Sequence, residues 1–214
     1  MRYWKALAIA PLASMVLAGS AAAWQDENTE GMNPRVVPPA ECVVDPRSAD
    51  ELVALLGLDA EGVQKPAEPE IAAPLGQNLD SEASVPIKEA VREVIACLNA
   101  GDIGRAAALM TDHGVLRNYW SLTETPELRA ATQERLAAAT PRPEPAQIRL
   151  VTTTDISVLP DGRAIAFVVI NNPVAAQPGP ETLLFYFANV DGEWKLDDLV
   201  DFSISRPIAS TPTP

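Results

Sequence analysis

Two short stretches of sequence, each of which ends one element and begins another, constrain the fold most. The sequence CLNAGD at residues 97–102 closes a helical run, with Gly101 suited to end a helix and Asp102 suited to cap the next one. Near the end of the chain, residues 191–198 have the sequence DGEWKLDD, whose first dipeptide is typical of a tight hairpin turn. Helices followed by antiparallel strands predict an α+β domain in which the sheet curves around a long helix.

The spacing of apolar residues predicts three helices at the start of this domain. The first runs from about Ser84 to Gly101, and its apolar face is formed by Ile87, Val91, Val94, Ile95 and Leu98. Asp102 caps a second helix that extends to Met110. A third helix covers residues 125–136, with Pro126 at its first position.

The apolar period then changes to two, which predicts four strands at residues 147–158, 163–171, 181–190 and 193–202. Hairpin turns at residues 161–162 and 191–192 make them an antiparallel meander. Residues 164–170 and 183–188 are apolar on both faces, so both faces of the central strands need a cover. The helices cover one face, and we expect either the N-terminal part of the chain or a second subunit, in a homodimer through the sheet face, to cover the other.

Residues 1–23 have the features of a secretory signal peptide. Arg2 and Lys5 precede an apolar run over residues 6–17, and residues 21–23 are alanines before Trp24. An uncleaved membrane anchor is the alternative, but Pro11 and the small residues favour cleavage. We therefore expect a secreted or extracytoplasmic protein of the cell envelope, with no stable membrane insertion after cleavage.

The charge balance excludes two classes of partner. The chain has 16 Lys and Arg against 29 Asp and Glu, a net charge of −13, and loss of Arg2 and Lys5 with the signal peptide makes it −15. Such a surface repels nucleic acid and anionic lipid, so we expect no nucleic-acid partner.

The exported part of the chain divides into four segments. Residues 24–60 form an N-terminal arm with a short amphipathic helix, which Ser48 and Glu51 begin as a capping box and whose apolar face is Leu52, Leu55 and Leu56. Residues 61–80 are a linker rich in Pro, Glu and Ala, residues 81–205 form the main domain, and residues 206–214 are a disordered tail.

Two cysteines in an exported chain, Cys42 and Cys97, predict one disulfide. The alternative is that Cys97 is a small buried side chain on its helix and Cys42 a free thiol. The sequence has no phosphate-binding glycine loop, no nucleophile elbow and no spacing of Cys and His that suits a metal, so we expect no cofactor and no metal site.

The sequence CLNAGD, its continuation ALMTD at residues 108–112 and the closing GEWKLDD at residues 192–198 resemble the nuclear transport factor 2-like superfamily. The resemblance covers about residues 84–203. It implies a cone, in which a curved antiparallel sheet surrounds the first helix and leaves a pocket at its open end. Ketosteroid isomerase, scytalone dehydratase, limonene epoxide hydrolase and polyketide cyclases belong to this superfamily, as do many members with no known activity.

Six residues are candidates for lining such a pocket. The resemblance places Tyr119 and Trp120 near its mouth, and it implies that Tyr186 or Tyr119, together with Asp198, could polarise a carbonyl. Thr152 and Thr154 share a strand parity with apolar neighbours, which would put their hydroxyls into the pocket. Packing in the core explains the aromatic residues equally, and no catalytic set of the enzymatic relatives is matched residue by residue.

Two further features have alternative interpretations. His113, the one histidine, is predicted in a turn, where Asp112 could orient it as a general base or where both simply face solvent. Asp197 and Asp198 break the alternation of the last strand, which predicts a β-bulge. These residues favour a secreted, non-catalytic domain that binds a small apolar ligand or a partner protein. The alternative is a cofactor-independent isomerase, dehydratase or cyclase acting on a hydrophobic substrate.

Overall fold

The structure is a computed structural model, which describes residues 34–67, 76–174 and 179–201. It contains an α+β fold within these residues. The helices are α1 (Ala49–Leu55), α2 (Val85–Ala100), α3 (Ile103–Ala108), α4 (Asp112–Tyr119) and α5 (Pro126–Ala137). The strands are β1 (Arg35–Val36), β2 (Gln77–Asn78), β3 (Arg149–Val158), β4 (Ala164–Asn171), β5 (Pro180–Val190) and β6 (Glu193–Asp201).

Side-chain caps begin four of the helices. They are Ser48 for α1, Asp102 for α3, Thr111 for α4 and Thr125 for α5, and each accepts a hydrogen bond from a backbone N–H in the first turn. Helix α2 ends at Gly101, which has a left-handed φ of 62°. A Cβ at Gly101 would clash with the carbonyl of Thr140, so both conformation and space require glycine there.

The structure differs from the sequence-based prediction over residues 112–119, where it forms helix α4 rather than a turn. Gly114 suggested a turn, but it lies inside the helix. Glycine is required at this position because a Cβ would clash with the carbonyl of Leu196 on β6. The glycine thus allows α4 to approach the last strand closely.

The strands form one curved, unclosed antiparallel sheet in the order β1-β3-β4-β5-β6, with β2 also pairing with β3. The predicted meander of four strands is confirmed as β3 to β6. Strands β1 and β2 were missed, because a two-residue strand carries no period in the sequence. Gln77 of β2 pairs with Val158, within the segment that was predicted as a linker.

Apolar side chains lie on both faces of the central strands, as predicted. On the inner face, Ala164, Ala166, Val168 and Ile170 join the same core as the buried residues of α2. On the outer face, a second cluster contains Leu159, Ile165, Leu184, Tyr186 and Val200. Whether the N-terminal part or a second subunit covers this outer face stays a prediction.

The predicted disulfide between Cys42 and Cys97 is confirmed, with an S–S distance of 2.06 Å. Beside it, the guanidinium of Arg92 donates two hydrogen bonds to Glu41, over 2.6 and 2.8 Å. Leu52 of α1 and Leu56, which follows the helix as its C-cap, are fully buried, so the apolar face of this segment packs into the core as its pattern indicated.

The predicted signal peptide and the tail at residues 206–214 lie outside the described residues, and the predicted domain boundaries stay predictions. In the part of the chain that the structure covers, no helix is both long and apolar enough to cross a membrane.

Candidate functional site

The six residues predicted to line a pocket do not lie together. Tyr119 lines a cavity among the helices. The four candidates on strands lie on the outer face of the sheet. Thr152 pairs with Val169, Thr154 pairs with Phe167, and Tyr186 pairs with Asp198. Trp120 follows α4, where the ammonium of Lys65 lies 5.2 Å from the centre of its ring.

Irregular pairing of β3 explains the position of the two threonines. Leu150 pairs with Ile170 on the inner face, but the register shifts before Thr152, which pairs with Val169. A β-bulge of this kind moves all following side chains to the opposite face. The expectation that Thr152 and Thr154 share a face with Leu150 is therefore wrong.

The predicted bulge in β6 is present and brings Asp198 opposite Tyr186, with Asp197 as the additional residue. The Asp198 carboxylate accepts hydrogen bonds from Arg117 Nε, over 3.0 Å, and from the backbone N of Leu199, over 2.7 Å. The side chains of Asp198 and Arg117 are only 5% and 10% exposed. This carboxylate is therefore committed to a buried ion pair.

Tyr186 lies beside a second arginine. The guanidinium carbon of Arg163 is 5.3 Å from the centre of the Tyr186 ring, and the same arginine contacts Asp197 over 3.5 Å. Burial raises the pKa of the Tyr186 phenol, the charge of Arg163 opposes this and that of Asp198 adds to it. The hydroxyl thus stays protonated at neutral pH, which suits a donor and not a base.

The structure does not place Asp112 as the partner of His113. His113 lies in the first turn of α4 with a half-exposed side chain, and its Nε2 is 3.8 Å from Asp198 Oδ2. Asp112 instead accepts a hydrogen bond from Arg47, over 2.6 Å. The hypothesis that Asp112 orients His113 as a general base is therefore wrong for this structure.

A cavity of about 270 Å³ lies among helices α2, α3, α4 and α5. We call it the helical cavity. Its lining residues are Cys97, Leu98, Gly101, Asp102, Ile103, Ala106, Asn118, Tyr119, Ser121, Leu122, Arg135, Thr140 and Arg142. Four of these residues, which we call the apolar wall, have apolar side chains: Leu98, Ile103, Ala106 and Leu122.

The residues that line the cavity also include Tyr119, Arg135 and Arg142, whose hydroxyl and guanidinium groups are hydrogen-bond donors. Arg142 is held in place by its Nε, which donates to the carbonyl of Leu98 over 3.2 Å. Its Nη1 makes long contacts of 3.5 Å to Ala146 O and Asn172 Oδ1.

The charges of these groups affect one another. Burial raises the pKa of Tyr119 to about 12, although the positive charge of Arg135 opposes this rise and Asp102 adds to it. Burial lowers the pKa of Arg142, and the like charge of Arg135 lowers it further. The cavity therefore holds a protonated phenol next to two mutually repelling cations.

Asp102 is the acidic residue of the lining, and its carboxylate is already engaged. Its Oδ1 accepts the capping hydrogen bond from Arg105 N over 3.0 Å, and its Oδ2 lies 3.6 Å from Arg105 Nε. By contrast, the guanidinium of Arg135 has no hydrogen bond or ion pair with any residue that the structure describes.

The sequence offered little that could locate this cavity. Tyr119 was predicted as a pocket residue, but from a resemblance rather than from its helix, which was missed. Arg135 lies on α5, whose charged and polar residues point in several directions, and Arg142 lies in a loop between two prolines. Their convergence depends on how the loop after α5 is held against the end of α2, where Arg142 N donates to Asn99 O, and no local pattern encodes this contact.

Comparisons with protein-family models, with curated proteins and with solved structures found no match. The function must therefore be argued from the geometry of the site. Within the described ranges, no group of three or more His, Cys, Asp or Glu side chains is placed to hold a metal ion.

Proposed function

We propose that this protein is a non-catalytic binding domain that holds a small, largely apolar ligand in the helical cavity. The observation that carries the proposal is the mixed lining of the cavity, in which the apolar side chains of Leu98, Ile103, Ala106 and Leu122 accompany polar residues, including Tyr119 and two arginines. This combination is typical of small-molecule sites, in which apolar surface supplies affinity and a few polar groups fix orientation.

The alternative of a cofactor-independent isomerase, dehydratase or cyclase needs a carboxylate that is free to accept a proton beside a phenol donor. Two pairs have the right residue types. Asp198 lies opposite Tyr186, but its carboxylate is paired with Arg117. Asp102 lines the cavity together with Tyr119, but its carboxylate caps α3 and lies beside Arg105. Since both carboxylates have structural partners, the geometry favours binding over catalysis.

We further propose that the fold is a cone of the nuclear transport factor 2-like type, with residues 24–60 as an arm that the disulfide fixes to it. The curved antiparallel sheet, the packing of α2 on its inner face and the burial of Leu52 and Leu56 support this proposal. The disulfide also supports export through the predicted signal peptide to an oxidising compartment outside the cytoplasm.

Titration of the ¹⁵N-labelled exported protein with benzyl alcohol, followed by NMR, tests the binding function. We expect chemical-shift changes that saturate and that cluster at the amides of Leu98, Ile103 and Leu122. Ser121 is an exposed residue of the cavity lining, and Ser121→Phe should block the cavity and abolish these changes. Gln133→Phe, at an exposed position of α5 outside the lining, is the matched control and should leave them intact.

The titration also tests the location of the site. Shift changes that cluster around Tyr186 and Asp198 instead, and that persist in the Ser121→Phe variant, would move the ligand site to the outer face and contradict the proposal. Absence of saturable changes anywhere would contradict it too.

A further inference from the structure

We infer that the ligand of the helical cavity is a small apolar monocarboxylic acid, whose carboxylate faces Arg135, Arg142 and Tyr119 while its hydrocarbon part lies against the apolar wall. This inference rests on the proposed binding function and specifies the chemical class of the ligand. Four observations support it.

The first observation is the accumulation of positive charge in an acidic protein. The chain has 29 acidic against 16 basic residues, yet two arginines line one cavity of about 270 Å³. Placing two like charges close together costs free energy, and burial of one of them raises the cost. A bound anion between Arg135 and Arg142 would convert this repulsion into attraction.

The second observation is the surplus of donors. A guanidinium has five N–H groups, and Arg142 uses its Nε and Nη1 but has no hydrogen-bond acceptor for Nη2 among the described residues. Arg135 has no acceptor in the same part of the chain, and neither has the Tyr119 hydroxyl. These groups are therefore open to a ligand that brings acceptor atoms, which a carboxylate supplies in a geometry that suits guanidinium groups.

The third observation is that the protein does not neutralise these cations itself. Asp102 is the one acidic residue in the lining, and both of its oxygens face Arg105. An anion that enters the cavity would therefore not have to displace an internal carboxylate from Arg135 or Arg142.

The fourth observation is the size and polarity of the cavity. A volume of about 270 Å³ is at the lower end of ligand sites, which suits one aromatic ring or a short branched chain. Leu98, Ile103, Ala106 and Leu122 would exclude a strongly hydrated anion such as phosphate. An acid with an apolar body fits both parts of the lining.

The test compares benzoate with its neutral analogue benzamide, and adds acetate and inorganic phosphate, all by NMR titration of the full exported protein. We expect benzoate to bind at least about tenfold more tightly than benzamide, since hydrogen bonds to a charged group are the stronger ones. Acetate and phosphate should bind more weakly than benzoate, because they lack the apolar body.

Variants then identify the anchoring groups. Arg135 is an exposed residue of α5, and Arg135→Gln should weaken benzoate binding about tenfold and benzamide binding by a clearly smaller factor, because a neutral carbonyl accepts weaker hydrogen bonds than a carboxylate. Tyr119→Phe should weaken benzoate binding by a smaller factor. Lys88→Gln makes the same change of charge at an exposed helical position outside the lining, and it should change neither affinity. Thermal unfolding of each variant confirms that it is folded.

Equal affinity for benzoate and benzamide at the cavity amides would overturn the carboxylate inference and leave the binding function standing. An unchanged benzoate affinity in folded Arg135→Gln would overturn it as well, and tighter binding of phosphate than of benzoate would contradict the apolar part of the ligand. Failure of every probe, benzyl alcohol included, would overturn the binding function together with the inference.

Discussion

The buried side-chain amide of Asn99 forms two hydrogen bonds with the backbone of Ile148. Asn99 Nδ2 donates to Ile148 O over 3.0 Å, and Ile148 N donates to Asn99 Oδ1 over 2.8 Å. The same Nδ2 also donates to Val37 O over 2.9 Å. A single amide thus connects the end of α2 to the segments next to β1 and β3, and all three bonds lie out of contact with water.

We expect Asn99→Ala to lower the free energy of unfolding by about 3 kcal/mol, because it leaves one N–H and two carbonyls buried without these partners. Urea denaturation measures the loss. Asn189→Ala is the control, since Asn189 accepts one exposed hydrogen bond from Gly192 N and its removal should cost less than about 1 kcal/mol. Equal costs for the two variants would contradict the structural role of Asn99.

The disulfide should stabilise mainly the N-terminal segment. Cys42 and Cys97 are 55 residues apart, and closing such a loop contributes about 4 kcal/mol in the chain-entropy model. Mild reduction should therefore increase hydrogen exchange in residues 34–67 before it affects β4 and β5. Peptide mapping without reductant checks the bond itself, and simultaneous loss of protection in both regions would contradict this order.

Much of the fold could be predicted because it follows local rules. The helices α2, α3 and α5 have clear apolar periods or caps, and the four long strands have turn dipeptides between them. The stretch at residues 108–112 and the closing stretch at residues 192–198 also meet in space: Thr111 N donates to Leu196 O over 3.0 Å, and Leu196 N donates to Leu109 O over 2.8 Å. Each of these stretches carries its own structural information.

The candidate site could not be predicted in the same way. Val151 adds one residue to β3 between Leu150 and Thr152, and this single shift moved two predicted pocket residues to the other face. Arg135 and Arg142 belong to different segments, and only the packing of the helices brings them to one cavity. Side chains converge through tertiary structure, whereas sequence periodicity reports one element at a time.

The buried pair of Arg117 and Asp198 gives a third prediction. We expect Arg117→Met to lower the free energy of unfolding by about 3 kcal/mol, because it leaves the Asp198 carboxylate buried without its cation. Adding Asp198→Asn should recover part of this loss, since the double variant has no buried charge at this place. A double-mutant cycle in urea measures both effects.

The control for this pair is Arg92→Gln, which breaks the much more exposed ion pair with Glu41 and should cost less than about 1 kcal/mol. A loss of the same size in Arg117→Met and Arg92→Gln would show that burial does not decide the contribution of the Asp198 pair.

The last prediction concerns pH and the carboxyl group of Glu93. Partial burial raises the pKa of Glu93, and the nearby charge of Glu193 raises it further, so the folded state binds this proton more tightly than the unfolded state. The ionised side chain therefore destabilises the fold as the pH rises through its folded pKa, and this cost is absent below the unfolded pKa of about 4.3.

Glu93→Gln should raise the Tm by about 2 °C at pH 8 and by nothing measurable at pH 3.5, the size expected for a partly exposed charge. Glu134→Gln, at an exposed position of α5, should leave the Tm unchanged at both pH values. A gain for Glu93→Gln that is equal at both pH values would mean that ionisation is not its cause, which differential scanning calorimetry of the two variants and the parent would reveal.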